Sequence, residues 1–458
     1  MQTATYEIWV RSPTSPYLRK CLIDDYKRLQ FRPVVNNYAG LSIIIHQDST
    51  HLQYIDYLDR IEVVRKILNP LTGIIEQQTF GHIVLSKERN LGEDGKGGEY
   101  MTIQAMSYNV LLNSRIILPP TTPDSSGAIT MAATSGDTTF ATSSAITLYN
   151  GDQITPTTTT SQVRIVNATG VATSFNTTAA FTAGVAAQTF SILRAHSTYT
   201  TKKTDDLMKQ YVRDCLTTAT DASRILAGFS VAADTTTAPD TLAWSVRYLR
   251  LLDQLIQISQ AGGVDFDVVT KTDNTLQFKT YYPQLGADRQ VGNTSGNAPC
   301  IFAVERDNIK NQRWWNSALQ MTDQGGNYIY VAGAGDGAGR AVVQRLSPAS
   351  VLQFSRWEKF VDARDAQTDA ELADRADARI NELSKLDTGA RFEALASDGN
   401  IWGVHYNLGD LVTVRIWNEN ATLNDQISAI DVVVDENGIE SVLPIVGSEY
   451  PHLGMRWT

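Results

Sequence analysis

The sequence predicts an α+β fold spread over several domains, on three observations. Strand-like segments cluster at both ends, amphipathic helical stretches occupy the middle, and a Thr-, Ala- and Ser-rich tract at 121–200 interrupts the two. With 458 residues, 42% hydrophobic and 19% charged, the chain can bury a core. It has room for about two to four domains of the usual size.

The first 120 residues read as strands. Leu41-Ser-Ile-Ile-Ile45, Tyr57 to Arg65, Gln78 to Leu85 and Tyr100 to Met106 are rich in β-branched and aromatic residues. Asn69 to Gly73 and Gly92 to Gly98 supply the turns between them. Short strands at this spacing suit a barrel or sandwich. Ser107 to Ile117 reads as a short helical or irregular exit, closed by Pro119 and Pro120.

The tract at 121–200 carries five charged residues, Asp124, Asp137, Asp152, Arg164 and Arg194. Strand-like pieces at Ala145 to Tyr149, Gln162 to Asn167 and Gln188 to Leu193 make it a small inserted β-domain in preference to a linker. Its Asn150-Gly151 pair predicts a hairpin. From 203 the period changes to that of a helix, with Leu207, Met208, Tyr211, Val212, Cys215 and Leu216 on one stripe. A second helix is expected from Ser245 to Gln260, ended by Gly262-Gly263, and a hairpin turning at Lys271 to Asn274 follows. Strands flank a Gly-rich loop between Asn316 and Arg345, and a third helix is expected over Ala366 to Lys385. Leu372, Ala376, Ile380 and Leu383 form its buried stripe, its other face is laced with Asp and Arg, and Glu371 and Arg375, four apart, give the helix a supporting pair. Strands at Leu411 to Ile416, Asp425 to Val434 and Glu440 to Val446 end the pattern, with the last turn at Asp435 to Gly438.

Composition excludes several classes. The apolar runs are far shorter than the ~20 residues of a membrane span. The N-terminus alternates like a strand and does not resemble a secretion signal. Cys21, Cys215 and Cys300 lie too far apart to suggest a disulfide framework or thiolate cluster, and point to a reduced compartment. A net charge of −10 disfavours wrapping nucleic acid, but is compatible with a pore whose wall repels sliding DNA.

Motifs for chemistry are sparse. Gly333-Ala-Gly-Asp-Gly-Ala338 fits a dinucleotide fingerprint on paper, yet Arg340 to Leu346 reads as a strand where a helix N-terminus is required, so a hairpin loop is expected. His46, Asp48 and His51 mimic a metal constellation but sit in a polar turn. Asp362, Asp365 and Asp369 fall near the start of the third helix, where they complement its dipole. Trp314-Trp315 could stack on a sugar, though packing into a core or interface is favoured. No catalytic, cofactor-binding or metal-ligating residue is assigned, no cofactor is expected, and the chain is not expected to be an enzyme.

The order of features in the second half carries a resemblance. Tyr328-Ile-Tyr-Val-Ala-Gly-Ala-Gly-Asp-Gly-Ala-Gly-Arg340 is followed by Arg356-Trp-Glu-Lys-Phe-Val-Asp-Ala-Arg-Asp365. A charged helix, then Tyr406-Asn-Leu-Gly-Asp-Leu-Val-Thr-Val414, then a closing hairpin near Gly438 complete the series. This resembles the tail hub, or minor tail (baseplate hub), protein family of long-tailed phages, with Trp357 between Arg356 and Glu358 as a small departure. The motifs cover about 300–450; residues 1–117 and 203–285 match in pattern only, and 121–200 looks like an extra.

The resemblance implies two β-barrel domains packed side by side with α/β domains projecting from them, and with the residue patterns this gives an expected division into 1–120, an N-terminal β-barrel; 121–200, the inserted β-domain; 201–300, a helix-hairpin α/β domain; 301–390, strands, Gly-rich hairpin and charged helix; and 391–458, a C-terminal β-barrel. It implies a structural virion component made in the host cytoplasm. Three copies would form a ring with an acidic lumen that joins the tail tube to the tip and passes DNA. Implied partners are other copies of the chain, a distal tail protein, a tape-measure protein and a fibre or tip protein. The alternatives are a glycan-binding tail protein contacting the host surface and, less favoured, a cell-wall hydrolase.

Overall fold

In the strand Thr5–Arg11, Ile8 and Val10 alternate inward and are fully buried, as period-two side-chain placement requires. The computed structural model describes residues 4–15, 17–90, 99–167, 170–318, 325–335, 340–397, 399–418 and 420–449. The strand Arg19–Ile23 pairs with Thr5–Arg11, whereas Tyr26–Phe31, separated from it only by Asp24 and Asp25, pairs with Gly40–His46. One bent run of chain thus forms both margins of the N-terminal strand cluster. Between those margins lie Thr5–Arg11, Arg60–Leu68, Ile75–Asn90, Tyr100–Ser107 and Gly40–His46, in that order.

The C-terminal strands continue the same sheet. Phe31 lies opposite Val432 and Arg28 opposite Asp435, so Tyr26–Phe31 adjoins Thr422–Asp435. Glu440–Gly447, Asp387–Ala394 and Ile309–Ser317 follow, and Leu411–Arg415 pairs on the other flank of Thr422–Asp435. The result is a 13-stranded sheet. Its core joins Ile43, Val63 and Ile103 from the first cluster to Val414, Ile430 and Val432 from the last. Each such buried aliphatic contributes roughly 1.5–3 kcal/mol.

Between these ends the chain builds three further units. Six strands between Asp124 and Leu193 make a separate sheet around Phe140, Phe175, Phe181 and Phe190. Asn150-Gly151 forms a turn there, with Gly151 at φ +90, but not a hairpin. The flanking strands Thr139–Leu148 and Gln153–Pro156 are separated in the sheet by two others. The cause lies in Asp152. Its buried carboxylate accepts the Tyr149 and Ala195 amides and the Arg194 guanidinium, tying the turn to the exit from this sheet.

Helix α1, Thr204–Leu216, buries the expected stripe, and α2 spans Leu251–Gly262 with Gly263 in the left-handed conformation after it. The second helix therefore starts later than the sequence suggests. Trp244, Ser245 and Val246 pair with Tyr199, Thr198 and Ser197 in a strand, and Tyr248 turns the chain at φ +55. Both helices pack on the hairpin Asp265–Thr270 and Leu276–Tyr281. The third unit is a three-stranded sheet, Val342–Leu346, Tyr328–Ala332 and Glu358–Asp362, whose middle strand is Tyr328–Ala332. The short helix α3, Pro348–Phe354, connects its last two strands in sequence, and α4, Asp369–Leu383, covers one face. The expected α+β multidomain character is what the structure has, and strands dominate at 46%.

Candidate functional site

A large opening among the described residues follows from unequal strand lengths. Ile75–Asn90 pairs with Arg60–Leu68 from Leu68↔Ile75 onward, but Tyr100–Ser107 joins its other side only from His82. Beside residues 78–82 a cleft of about 520 Å³ remains between the large sheet and the unit carrying α1 and α2. Phe80, His82, Tyr108, Asp267, Trp402 and Asp410 are among its lining residues. Gly81 is required here, because the Tyr108 ring occupies the space a Cβ would take.

The polar groups of this cleft mostly staple the units around it. Asp410 accepts the Ala287 amide at 2.6 Å, the Asn407 amide at 2.8 Å and the Arg289 guanidinium at 3.1 Å. This is the amide-capping role its Leu-Gly-Asp context predicts, and Gly409 turns the chain at φ +85 just before it. Asn109 accepts the Val268 amide, and Asn36 accepts that of Phe266. Burial lowers the His82 pKa to about 4 and raises that of Asp267 to about 6, so His82 is neutral near pH 7. Burial also pushes the thiols of Cys215 and Cys300 up to about 12, which leaves neither as a nucleophilic thiolate.

A second buried cluster fastens the two ends of the chain. The Arg65 guanidinium donates to both carboxylate oxygens of Glu440, at 2.9 and 2.7 Å, and to the Trp402 carbonyl at 2.8 Å. Tyr6 donates its hydroxyl to the same Glu440 carboxylate, and the Arg65 guanidinium lies 4.5 Å from the Trp402 ring centroid. Sequence reasoning missed this cluster. Its members lie 375 residues apart, and no local pattern announces them.

The features weighed in the sequence separate in space. Tyr328–Ala332 and Val342–Leu346 pair as a hairpin around the Gly-rich stretch. Gly333 and Gly335 are described, while Asp336, Gly337 and Ala338 lie outside the described residues, as does the expected turn at 92–98. His46 faces Asp48 at 3.6 Å, but His51 turns instead to Asp24 at 3.0 Å and Asp25 at 3.8 Å. Trp314 and Trp315 point opposite ways. Trp315 is buried against Ala429 and Ile445, and Trp314 is partly exposed, so they do not form one platform. Asp365 precedes α4, so it does not share the helix with Asp369.

Glu371 and Arg375 are not on a solvated face. Both are buried, paired at 2.7 Å, and they grip the backbone of Ser245 through its amide and its carbonyl. Arg375 also stacks on Trp244, 4.6 Å from its ring centroid. The i,i+4 spacing was legible; the docking of α4 against the strand Thr241–Val246 was not.

Comparison with known proteins adds three observations. A family described as Siphovirus ReqiPepy6 Gp37-like protein matches residues 157–448. No curated protein matches the chain. Among solved structures, a tail protein from Neisseria meningitidis MC58 is similar over 97% of both chains at 11% identity and a TM-score of 0.48. The prophage MuSo2 43 kDa tail protein from Shewanella oneidensis covers 96% of this chain and 98% of its own, at 9% identity and 0.48. Prophage tail protein gp18 from Listeria monocytogenes EGD-e covers 97% and 95%, at 10% identity and 0.43.

Proposed function

The chain belongs to the Siphovirus ReqiPepy6 Gp37-like protein family, and on that premise we propose that it is a structural, non-enzymatic hub subunit of a phage tail tip. The long-tailed-phage resemblance carried by residues 328–438 agrees with this membership. In this reading three copies form a ring that joins the tail tube to the tip and passes DNA, with a distal tail protein, a tape-measure protein and a fibre or tip protein as neighbours.

One observation carries the reading. The strand clusters of the two chain ends lie side by side, joined through Tyr26–Phe31 and Thr422–Asp435. In the first cluster the bent run Arg19–Phe31 supplies both margins, which favours closure as a barrel. In the second, Ile301–Phe302 pairs with Leu411–Arg415 and leads directly into Ile309–Ser317, which favours a second barrel in the same way. Two barrels per chain and three chains would supply six barrels around one pore. The units at 121–200, 201–300 and 328–383, the middle of the expected 301–390 unit, are then domains projecting from the barrels, each around a buried cluster, while Ile301–Phe302, Ile309–Ser317 and Asp387–Ala394 join the strands of 391–458 in the second barrel.

A net charge of −10 on each copy would become 3 × −10 = −30 on the ring, and an acidic lumen would repel DNA phosphates and let them slide. Light scattering on the purified chain, followed by negative-stain imaging, tests this. The expected outcome is a threefold ring with a central hole. A chain that stays monomeric at every concentration and also in the presence of its tail partners overturns the reading, and a basic channel overturns the lumen.

A further inference from the structure

The strand Ile75–Asn90 leaves one edge open over its first half. The Asn69 amide bonds the Ile74 carbonyl at 2.7 Å, and bonding alternates along an antiparallel pair. Residues 76, 78 and 80 therefore turn their backbone groups to Arg60–Leu68, while Ile75, Gln77, Thr79 and Gly81 turn theirs away. The phase agrees at the far end, where the Ser107 amide bonds the Ala39 carbonyl and Met106 pairs with Ile83. Past Ser107 the chain leaves the sheet for a short helical turn, Tyr108–Ser114, so the strand Tyr100–Ser107 stops short of Gly81. The outward amides and carbonyls of residues 75, 77, 79 and 81 bond no other backbone group among the described residues. An open backbone edge of this kind is a template for another strand.

The cleft lies in the plane of the sheet, in the place such a strand would take. Its lining draws on both faces of the edge, Gln78, Phe80 and His82 from one and Thr79 and Gly81 from the other. Each face has its own wall. Trp402 stacks on Phe80 with ring centroids 5.4 Å apart, and the Tyr108 ring fills the Cβ space of Gly81. The strand Asp265–Thr270 also lines the cleft, but its Phe266 and Val268 amides are already taken by the Asn36 and Asn109 side chains. The volume of about 520 Å³ falls within the ~300–1,000 Å³ of ligand sites.

We propose that the cleft binds an extended segment of a neighbouring tail protein, which adds as a strand to the open edge at residues 75–81. What is unsatisfied sets the chemistry of the occupant. The edge presents peptide donors and acceptors in alternation, and a second extended backbone matches them in spacing. The guest continues the line that Tyr100–Ser107 leaves at Ser107. Walls on both faces leave room for a lone strand and exclude one still backed by a sheet. Every strand of the described chain is held in a sheet of its own copy, so a second copy has no free segment to give. Phe80, Trp402 and Leu408 make the guest residue beside Phe80 apolar. The Arg289–Asp410 pair in the lining is already satisfied and calls for no charge. The binding site stands on the cleft alone; only the source of the guest rests on the tail-tip reading above.

The test uses the full chain and two probes. The first is a fluorescein-labelled peptide amide of alternating threonine and valine, Thr-Val-Thr-Val-Thr, whose anisotropy reports binding to the purified chain. Saturable binding is expected, with hydrogen exchange slowed at residues 75–81. Thr79→Pro deletes one outward amide and leaves the bonding to Arg60–Leu68 through residues 78 and 80 in place. It should weaken the peptide on the order of tenfold, whereas Thr79→Ala, which keeps the amide, should not. If Thr79→Pro lowers the urea midpoint, Gln77→Pro, at the next outward position, takes its place. A peptide that does not saturate, or that binds the proline variant as well as the wild type, overturns the site. The second probe is the assembled tail tip, in which the same amides should exchange more slowly than in the free chain. Equal exchange in the two overturns the tail-protein source. Slowing in an oligomer of the purified chain alone also overturns it, and assigns the edge to a second copy. A chain that enters no tail tip fails the tail-tip reading, and the peptide then decides the cleft by itself.

Discussion

The large sheet and the small sheet of 124–193 solve the same packing problem in opposite ways. In the large sheet, distant segments meet: Arg65 fastens to Glu440, and Phe31 lies opposite Val432. In the small sheet all partners come from 70 consecutive residues (193 − 124 + 1), and four phenylalanines are the largest members of its buried cluster. Its Thr-rich strands leave one face to solvent. The large sheet can therefore fail only as a whole, whereas the small one can fail alone. Such local units open independently when their contacts are local.

Arg65→Ala should have the larger effect. It removes a buried guanidinium and leaves the Glu440 carboxylate, also bonded to Tyr6, without its counter-charge. Breaking one partner of such a pair costs about 3–5 kcal/mol. Urea unfolding should show this as a lower midpoint for the whole chain. The double change Arg65→Met with Glu440→Gln should recover part of the loss, because no unpaired charge remains. A midpoint unmoved by Arg65→Ala would mean that the chain ends are held together by packing alone.

Phe140→Ala probes the other side of the contrast. Phe140 stacks on Phe175 with centroids 5.6 Å apart and is fully enclosed. Its truncation costs about 3–5 kcal/mol locally. Hydrogen exchange should quicken across 124–193 and stay unchanged in the strands of 26–31 and 422–435. Quickening in both places would show that the small sheet is coupled to the large one, and the contrast would collapse.

What the sequence revealed divides along the same line. Period-two and helical patterns marked Gly40–His46, Tyr100–Ser107, α1 and α4 close to their observed limits, because burial of one face acts on neighbouring residues. Asn150-Gly151 marked a turn but misled about pairing, since Asp152 binds Arg194 and Ala195 across 42 and 43 residues. Ser245 looked helical by spacing until its strand partner Thr198 and its clasp by Glu371 were known. The cleft was invisible for a simpler reason. It exists because Tyr100–Ser107 pairs with Ile75–Asn90 only from His82 onward, and pairing extent leaves no mark in composition.

The smallest effect should come from the cleft, and it has a sign for each residue. His82 is held below its usual 6.5, at about 4, so its contribution to stability is complete above pH 6.5 and is lost as pH falls toward 4. Asp267 is raised from 3.8 to about 6, so the fold binds its proton more readily and gains stability as pH falls from 6 toward 4. The two windows overlap between about 4 and 6, and there the contributions oppose each other. Asp267→Asn leaves His82 unopposed in the cleft, and read against the wild type the urea midpoints should fall more steeply on acidification from pH 6.5 to 4.5. His82→Gln leaves the carboxylate unopposed in the cleft, and read against the wild type at each pH the midpoints should fall less over pH 6 to 4.5, each difference in slope bounded by about 1.4 kcal/mol per pH unit. Residues 124–193 contain no histidine, so their local opening, followed by hydrogen exchange, should not acquire the His82 slope. Identical slopes for both variants and the wild type would show that the cleft admits water enough to restore ordinary titration. The polar seam would then be as solvated as the exposed face of the small sheet.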